Sequence, residues 1–325
     1  MNVLITGAAG FIGQTLSKYC ADAGCNVLGL GITEPEAPIT AGEYELCDVR
    51  NSGRFSALIS KFRPDRVFHL AAQSFPTVSL DHPRETMEVN VIGTINLYEG
   101  LRAAGLSPVV VVACSSAEYG PVAPENLPVR ETHPLRPLHP YGVSKVGQDL
   151  LAAQYFDNYS IPSIRIRIFN TTGPGKTGDV CSDLAKRAVE IECGIIPPFL
   201  KVGNLTTRRA LIDVRDMVNG LWKAADSCQP GEVYNVGGNQ ILAVQDVIDI
   251  IQRRAKVNFT VIQDSKLVRA CDEPVIAGDT SKFRSCTGWT AEIDLTKTIE
   301  DIIDWWRHRL SKVAVNRTCA SELKD

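Results

Sequence analysis

The stretch Asn2-Val3-Leu4-Ile5-Thr6-Gly7-Ala8-Ala9-Gly10-Phe11-Ile12-Gly13 decides the fold. Residues 2 to 6 are a short apolar run suited to a strand covered on both faces, and the glycine-punctuated segment leads at once into a helical pattern through Tyr19 and Ala23. Gly7 permits a tight turn, Gly10 lets a pyrophosphate come close to the backbone, and Gly13 lets the helix pack tightly. The helix N-terminus adds N–H groups and positive potential. A ligand-free strand-to-helix turn has the same spacing, but its place directly after a strand favours dinucleotide binding.

Working outward, apolar or β-branched runs recur at 26–30, 66–70, 109–113 and 163–168, separated by helical patterns near 54–62, 84–104 and 145–159. This alternation predicts an α/β fold, a Rossmann-type doubly wound parallel sheet whose site lies at the strands' C-terminal ends, where Gly7, Ala71, Ser115 and Asn170 fall. Residues 33–42 read as an exposed connection. From 173 the pattern loosens around Pro and Gly breaks, which predicts a smaller C-terminal α/β substrate-binding lobe. The expected division is a dinucleotide-binding domain over 1–172, its sheet completed by a segment near 210–245, then the lobe over 173–310 and a flexible tail over 311–325.

Pro140-Tyr141-Gly142-Val143-Ser144-Lys145 carries the chemistry. On a helix over 141–156, Tyr141 and Lys145 share one face at i and i+4. The ammonium is then expected to lower the phenol's pKa and ready it for proton transfer near neutrality. The pair alone is common on amphipathic helices; Ser115, placed by its run at a strand end, would complete a hydroxyl, phenol and ammonium set.

Composition narrows the class. With 325 residues, 44% of them hydrophobic, the chain can bury a large core, and a net charge of −3 without a dense basic block points to neither nucleic acid nor an anionic membrane as partner. No apolar run reaches spanning length and no signal-peptide pattern precedes the first strand, so a cytoplasmic location is expected. The ten cysteines are scattered without a CxxC pair or a histidine cluster and do not read as a metal site.

Thr6 to Gly13, His69-Leu70-Ala71-Ala72-Gln73-Ser74, Ser115-Ser116 and Tyr141-x-x-x-Lys145 together resemble the ordered motifs of the extended short-chain dehydrogenase/reductases. The similarity continues through 167–175, 202–205 and 213–216, where it is nearest to the GDP-mannose 4,6-dehydratase and GDP-4-keto-6-deoxy-mannose reductase branch. The resemblance implies catalysis by Ser115, Tyr141 and Lys145. It implies cofactor contacts from Gly7, Gly10, Phe11, Ile12, Gly13, Asp48, Val49, Leu70, Ala71 and Ala72, with Tyr141 and Lys145. Asp48 would meet the adenine amino group, although an Asp here also suits a cap for the following helix. Ser74, Asn170, Val180, Lys186, Arg209, Arg269 and Asp272 are implied to bind a nucleotide-diphosphate sugar, the arginines by forked bonds to phosphate. A homodimer on the helices over 84–104 and 141–159 is implied as well.

Two departures bear on specificity. The acidic position ending the second strand, which would favour NAD, falls on Gly31; this favours NADP, with NAD open through Glu34. The glutamate that dehydratases of this branch use as base corresponds to Ala117, and Glu118 on an extended backbone would face the other way. Ala210 and Asp272 also depart from the branch pattern and leave the base open. The sequence therefore favours a GDP-4-keto-6-deoxy-D-mannose reductase, over a nucleotide-sugar 4-epimerase or GDP-mannose 4,6-dehydratase, and over a non-catalytic NAD(P) sensor.

Overall fold

The N-terminal apolar run forms strand β1, Asn2–Thr6, and buries Val3, Leu4 and Ile5 completely. A strand covered on both faces needs apolar residues at consecutive positions, and this run supplies them. In this computed structural model, which describes residues 1–35, 42–267 and 275–322, with side chains except at 275–276 and 312–322, β1 lies inside a parallel sheet. The other strands are β2 (Asn26–Gly31), β3 (Gly42–Leu46), β4 (Arg66–His69), β5 (Val109–Ser115), β6 (Ser163–Ile168) and Val233–Val236. Among the described residues they stand in the order β3, β2, β1, β4, β5, β6, then Val233–Val236, every pairing parallel. The order reverses between β1 and β4, where a doubly wound sheet opens a crevice beyond its strand ends.

Helix starts explain how the connections reach that edge. Phe11–Asp22 follows the glycine turn. Ser52–Phe62 begins on Asn51, whose side chain accepts the Arg54 N–H; the capping role considered for Asp48 thus belongs to a residue three positions later. The helical run Pro83–Met87, Glu88–Ile92 and Gly93–Ala103 has a π-helical middle segment, a device that re-aims side chains. Gly93 lets that run come close to β3's exit, since a Cβ there would lie 2.5 Å from Val49 Cγ2. Pro140–Tyr159 starts on proline, which loses no intrahelical bond in the first turn, and His139 accepts the Gly142 N–H at 3.0 Å.

Leu4, Val67, Val110 and Val112 of the sheet meet Leu97, Tyr98, Leu101 and Tyr155 of the helices. Each such side chain contributes about 1.5–3 kcal/mol on burial. The Tyr98 and Tyr155 rings stack at 4.4 Å, and the Tyr98 hydroxyl shares a 2.9 Å hydrogen bond with Ser163 Oγ, so the aromatic core leaves that polar group satisfied.

The chain divides into two compact units: Met1–Phe169, Arg215–Gly237 and Ala277–Thr290 form the first, and Asn170–Val214, Gly238–Ile276 and Ala291–Asp325 the second. In the second, Arg208–Asp213 pairs antiparallel with Gln240–Ala243 and parallel with Thr171–Thr172 and Val275–Ile276, while Phe199–Val202 pairs with Thr260–Gln263. Helices Val180–Glu192, Val244–Arg254 and Leu295–Glu322 bring Leu184, Ile248 and Ile303 into one core. The last helix carries the backbone through 311–322, part of the segment expected as a tail; no Gly or Pro there interrupts it. Residues 323–325 lie outside the described residues.

Candidate active site

Gly7 leaves β1 with φ at 72°, in the left-handed region, and a Cβ there would stand 2.9 Å from Ala71 N. Only glycine combines that backbone with that approach. A Cβ on Gly13 would overlap the Gly7 carbonyl, so the helix presses directly on the turn. Gly10 differs: a Cβ there would touch Gly7 O at 3.1 Å, and the helix that follows has neither a side-chain cap nor an acidic residue in its first turn. The loop presents backbone N–H groups and a helix N-terminus, the features that hold a phosphate.

Behind this loop lies a buried polar chain. The Ala71 N–H donates to Thr6 Oγ1 at 3.1 Å, Thr6 Oγ1 meets His69 Nδ1 at 2.8 Å, and His69 Nε2 meets Thr94 Oγ1 at 3.0 Å. Thr94 gives its one proton to Asn90 O at 2.6 Å and accepts from Gln148 Nε2, so His69 must donate from Nε2 and accept at Nδ1. Burial agrees, holding the imidazole pKa down to about 3. His69 is thus a neutral cross-link between β1 and the π-containing helical run. Asn90 extends the brace: it accepts the Gln73 N–H at 2.8 Å and donates to Ser144 Oγ at 2.8 Å, and Ser144 donates to the Tyr141 carbonyl.

Ser115 ends β5 in a buried position, its Oγ accepting the Ala117 N–H at 3.2 Å, and its hydroxyl neighbours the Tyr141 phenol. One helical turn beyond Tyr141, Lys145 donates to Ala113 O at 2.8 Å and stands 5.8 Å from the Tyr141 ring centre. The three groups converge at the end of β5. The expected direction of tuning is corrected, however. Burial pushes Tyr141 up to about 12, partly offset by the Ser115 hydrogen bond, and brings Lys145 down to about 8. Desolvation penalises the charged form of both groups and is the largest cause in each case.

The residues after Ser115 correct a second expectation. Ser116–Glu118 is a 3₁₀ turn, so strand alternation does not set the direction of Glu118. Its carboxylate is fully buried, accepting the Ser115 N–H at 2.8 Å through Oε1 and Arg167 Nε at 3.1 Å through Oε2. Arg167 Nε also donates to Asp149 Oδ2 at 2.9 Å, and Arg165 pairs with Asp149 at 2.7 Å. Burial and the neighbouring Asp149 raise the Glu118 carboxyl above its ordinary value, against the opposite pull of Arg167.

At the other end of the crevice Asp48 is locked to Arg50 at 2.6 Å, and those hydrogen bonds hold its carboxyl below the usual range. Val49 is buried, and its carbonyl accepts from Asn96 Nδ2 at 2.9 Å. Gly31 ends β2, and a Cβ there would overlap the Tyr44 hydroxyl, which donates to Thr33 O.

The model of the GDP-mannose 4,6-dehydratase family matches residues 4–302. The chain belongs to that family. It is 28% identical over 309 residues to a GDP-6-deoxy-D-mannose reductase of Pseudomonas aeruginosa, covering 95% of this chain and 98% of the relative. The structure of RMD from Pseudomonas aeruginosa complexed with NADPH superposes with a TM-score of 0.85 at 27% identity, covering 95% of this chain and 99% of that one. The Thermus thermophilus UDP-glucose 4-epimerase complex with NAD gives 0.82 at 27% identity, covering 94% and 99%. The GDP-mannose 4,6-dehydratase family is thereby placed among the extended short-chain dehydrogenase/reductases, and this chain is an NAD(P)-dependent enzyme of that superfamily.

In this family member the first unit brings together the glycine loop, Leu70, Ala71, Ala72, Ser115, Tyr141 and Lys145, with Ser74 exposed just beyond β4. Asp48 and Val49 also lie in the first unit, and the second holds Asn170, Val180, Lys186 and Arg209. Asn170 has a buried Nδ2 without a hydrogen-bond partner among the described residues. Val180 is the exposed first residue of its helix. Lys186 pairs with Glu190 at 3.3 Å, and Arg209 lies opposite Leu242 with Nη1 donating to Arg208 O. Arg269 and Asp272 lie outside the described residues. Sequence reasoning did not find Asn90, Thr94, Ser144 and Gln148; the signal was polar side chains at i and i+4 on two helices otherwise facing the core.

Proposed function

We propose that this enzyme is an NADP-preferring reductase that converts GDP-4-keto-6-deoxy-D-mannose to GDP-6-deoxy-D-mannose. The observation that carries the reading is the pairing of Ala117 with a Glu118 already taken up by Ser115 N–H and Arg167. Dehydration requires a base at the sugar C5, and neither position offers one, whereas ketone reduction requires only a hydride and a proton. The reductase of Pseudomonas aeruginosa supports the same choice.

The glycine loop fits a dinucleotide, because the side-chain-free surface at Gly10 is where a pyrophosphate would need room, while Gly7 makes the turn that presents it. Gly7, Gly10, Phe11, Ile12 and Gly13 would hold the pyrophosphate, Asp48 and Val49 the adenine end, and Leu70, Ala71 and Ala72 the ribose side. When bound, the nicotinamide supplies the hydride that reduces C4 of the sugar. The raised pKa of Tyr141 keeps its proton in place at neutral pH, the state a donor to the sugar O4 needs. Ser115 gives its hydroxyl proton as a hydrogen bond to the same oxygen. As the phenolate develops, the Lys145 ammonium stabilises it until water restores the proton. Gly31 in place of a carboxylate leaves a 2′-phosphate unopposed, which is the basis for preferring NADP.

Asn170, Val180, Lys186, Arg209, Arg269 and Asp272, with Ser74, would bind the GDP portion; the buried Asn170 Nδ2, without a hydrogen-bond partner among the described residues, is a donor suited to an acceptor such as phosphate. Exposed Met87 and Ile92 on one helical run and Val143 and Leu150 on Pro140–Tyr159 support a homodimer on those faces, which size-exclusion mass measurement checks. Among the described residues no helix is long and apolar enough to cross a membrane, in keeping with a cytoplasmic location.

The likeness to a UDP-glucose 4-epimerase with NAD favours a second reading, 4-epimerisation with retained cofactor. Product mass separates the two: reduction adds two hydrogens and consumes NADPH, whereas epimerisation leaves mass and cofactor unchanged.

A further inference from the structure

Glu118 has no task in the chemistry above, yet it is the fully buried carboxylate nearest in sequence to Ser115. Its Oε1 accepts the Ser115 N–H at 2.8 Å while Ser115 Oγ accepts the Ala117 N–H at 3.2 Å, a reciprocal capping box closed over a single 3₁₀ turn. Its Oε2 is tied to Arg167, which is anchored in turn by Asp149 at 2.9 Å, the Tyr119 hydroxyl at 3.0 Å and Glu131 O at 3.0 Å. The Tyr119 hydroxyl donates to Asn235 Oδ1 at 2.6 Å. The backbone of Ser115 is therefore fixed from behind by a chain reaching β6 and Val233–Val236, with its hydroxyl beside Tyr141.

We infer that Glu118 is the positioning residue for Ser115: its carboxyl group clamps the Ser115 amide and so sets the Ser115 hydroxyl against Tyr141 and the sugar carbonyl. This rests on the ketoreductase reading. It accounts for a carboxylate next to the position where a dehydrating base would sit, without giving it proton transfer to the substrate. Hydroxyl placement matters to catalysis because a misplacement of about 1 Å costs on the order of 100-fold.

The test compares Glu118→Gln and Glu118→Leu with the unmodified protein. Gln keeps an oxygen for the Ser115 N–H and gives up only the acceptor of Arg167 Nε, which retains Asp149, whereas Leu keeps only the volume. Amide hydrogen exchange at Ser115, measured without substrate, is expected to stay slow in Glu118→Gln and to rise at least about tenfold in Glu118→Leu. Equal protection in all three overturns the clamp whatever the enzyme's reaction. With NADPH and GDP-4-keto-6-deoxy-D-mannose, Glu118→Leu is expected to lose about 10- to 100-fold in kcat with KM nearly unchanged, and Glu118→Gln to recover to within about threefold. An unchanged kcat in folded Glu118→Leu rejects the inference. If the Leu variant does not fold, Glu118→Gln decides alone, since a loss beyond about tenfold there means the acid itself is required. Absence of turnover in the unmodified protein refutes the ketoreductase reading instead, and the exchange measurement still judges the clamp.

Discussion

Lys145 stands 5.8 Å from the centre of the Tyr141 ring with its ammonium donating to Ala113 O, and burial acts on the two groups in opposite directions. The phenol is held protonated at neutral pH, and the cation one helical turn away is placed to offset the charge that develops when the proton leaves.

Replacing Tyr141 with Phe removes that proton and little else. Turnover is expected to fall by about 100- to 10,000-fold while NADPH affinity, read by fluorescence titration, changes less than about twofold. A variant that keeps its rate would mean the proton comes from elsewhere.

The neutral His69 cross-link makes stability depend on acid. Its folded pKa is depressed to about 3, so its contribution is complete above the unfolded value of about 6.5 and is lost as pH falls through that window to about 3. The expected slope is up to about 1.4 kcal/mol per pH unit. Denaturant unfolding of the protein and of His69→Gln across this range checks it, the variant showing the shallower slope; parallel curves would contradict it.

Gly13→Ala drives a methyl group into the Gly7 carbonyl, where backbone cannot yield cheaply. A loss of about 1–3 kcal/mol in stability is expected, together with weakened dinucleotide binding. Thermal unfolding and NADPH titration measure both, and an unshifted Tm with intact binding would show that the turn accommodates the change.

Gly31→Asp places a carboxylate at the end of β2 and requires Tyr44 to turn aside. Repulsion of a 2′-phosphate is expected to lower kcat/KM for NADPH at least about tenfold relative to NADH. An unchanged ratio would place the discrimination outside β2.

Much of this was legible in order rather than in detail. The runs at 2–6, 26–30, 66–70, 109–113 and 163–168 announced the parallel strands because strands covered on both faces must be continuously apolar. β3 escaped because Gly42-Glu43-Tyr44-Glu45-Leu46 lies at a sheet edge, where polar residues are tolerated and the register comes from β2 alone. The Ser115, Tyr141 and Lys145 set was visible because i, i+4 spacing on a helix is local. The sign of their pKa shifts was not, since desolvation depends on everything packed around them. The direction of Glu118 was not legible for a similar reason: a 3₁₀ turn of three residues follows the strand, and no periodicity over so short a segment distinguishes it from continued extension.

The reductase assignment is tested most directly by supplying GDP-4-keto-6-deoxy-D-mannose with NADPH carrying deuterium at the transferable nicotinamide position. Stoichiometric NADPH loss with deuterium at C4 of a product heavier by the two added hydrogens is the expected result. A product of unchanged mass with NADPH intact, or conversion of GDP-mannose with loss of water, would contradict it.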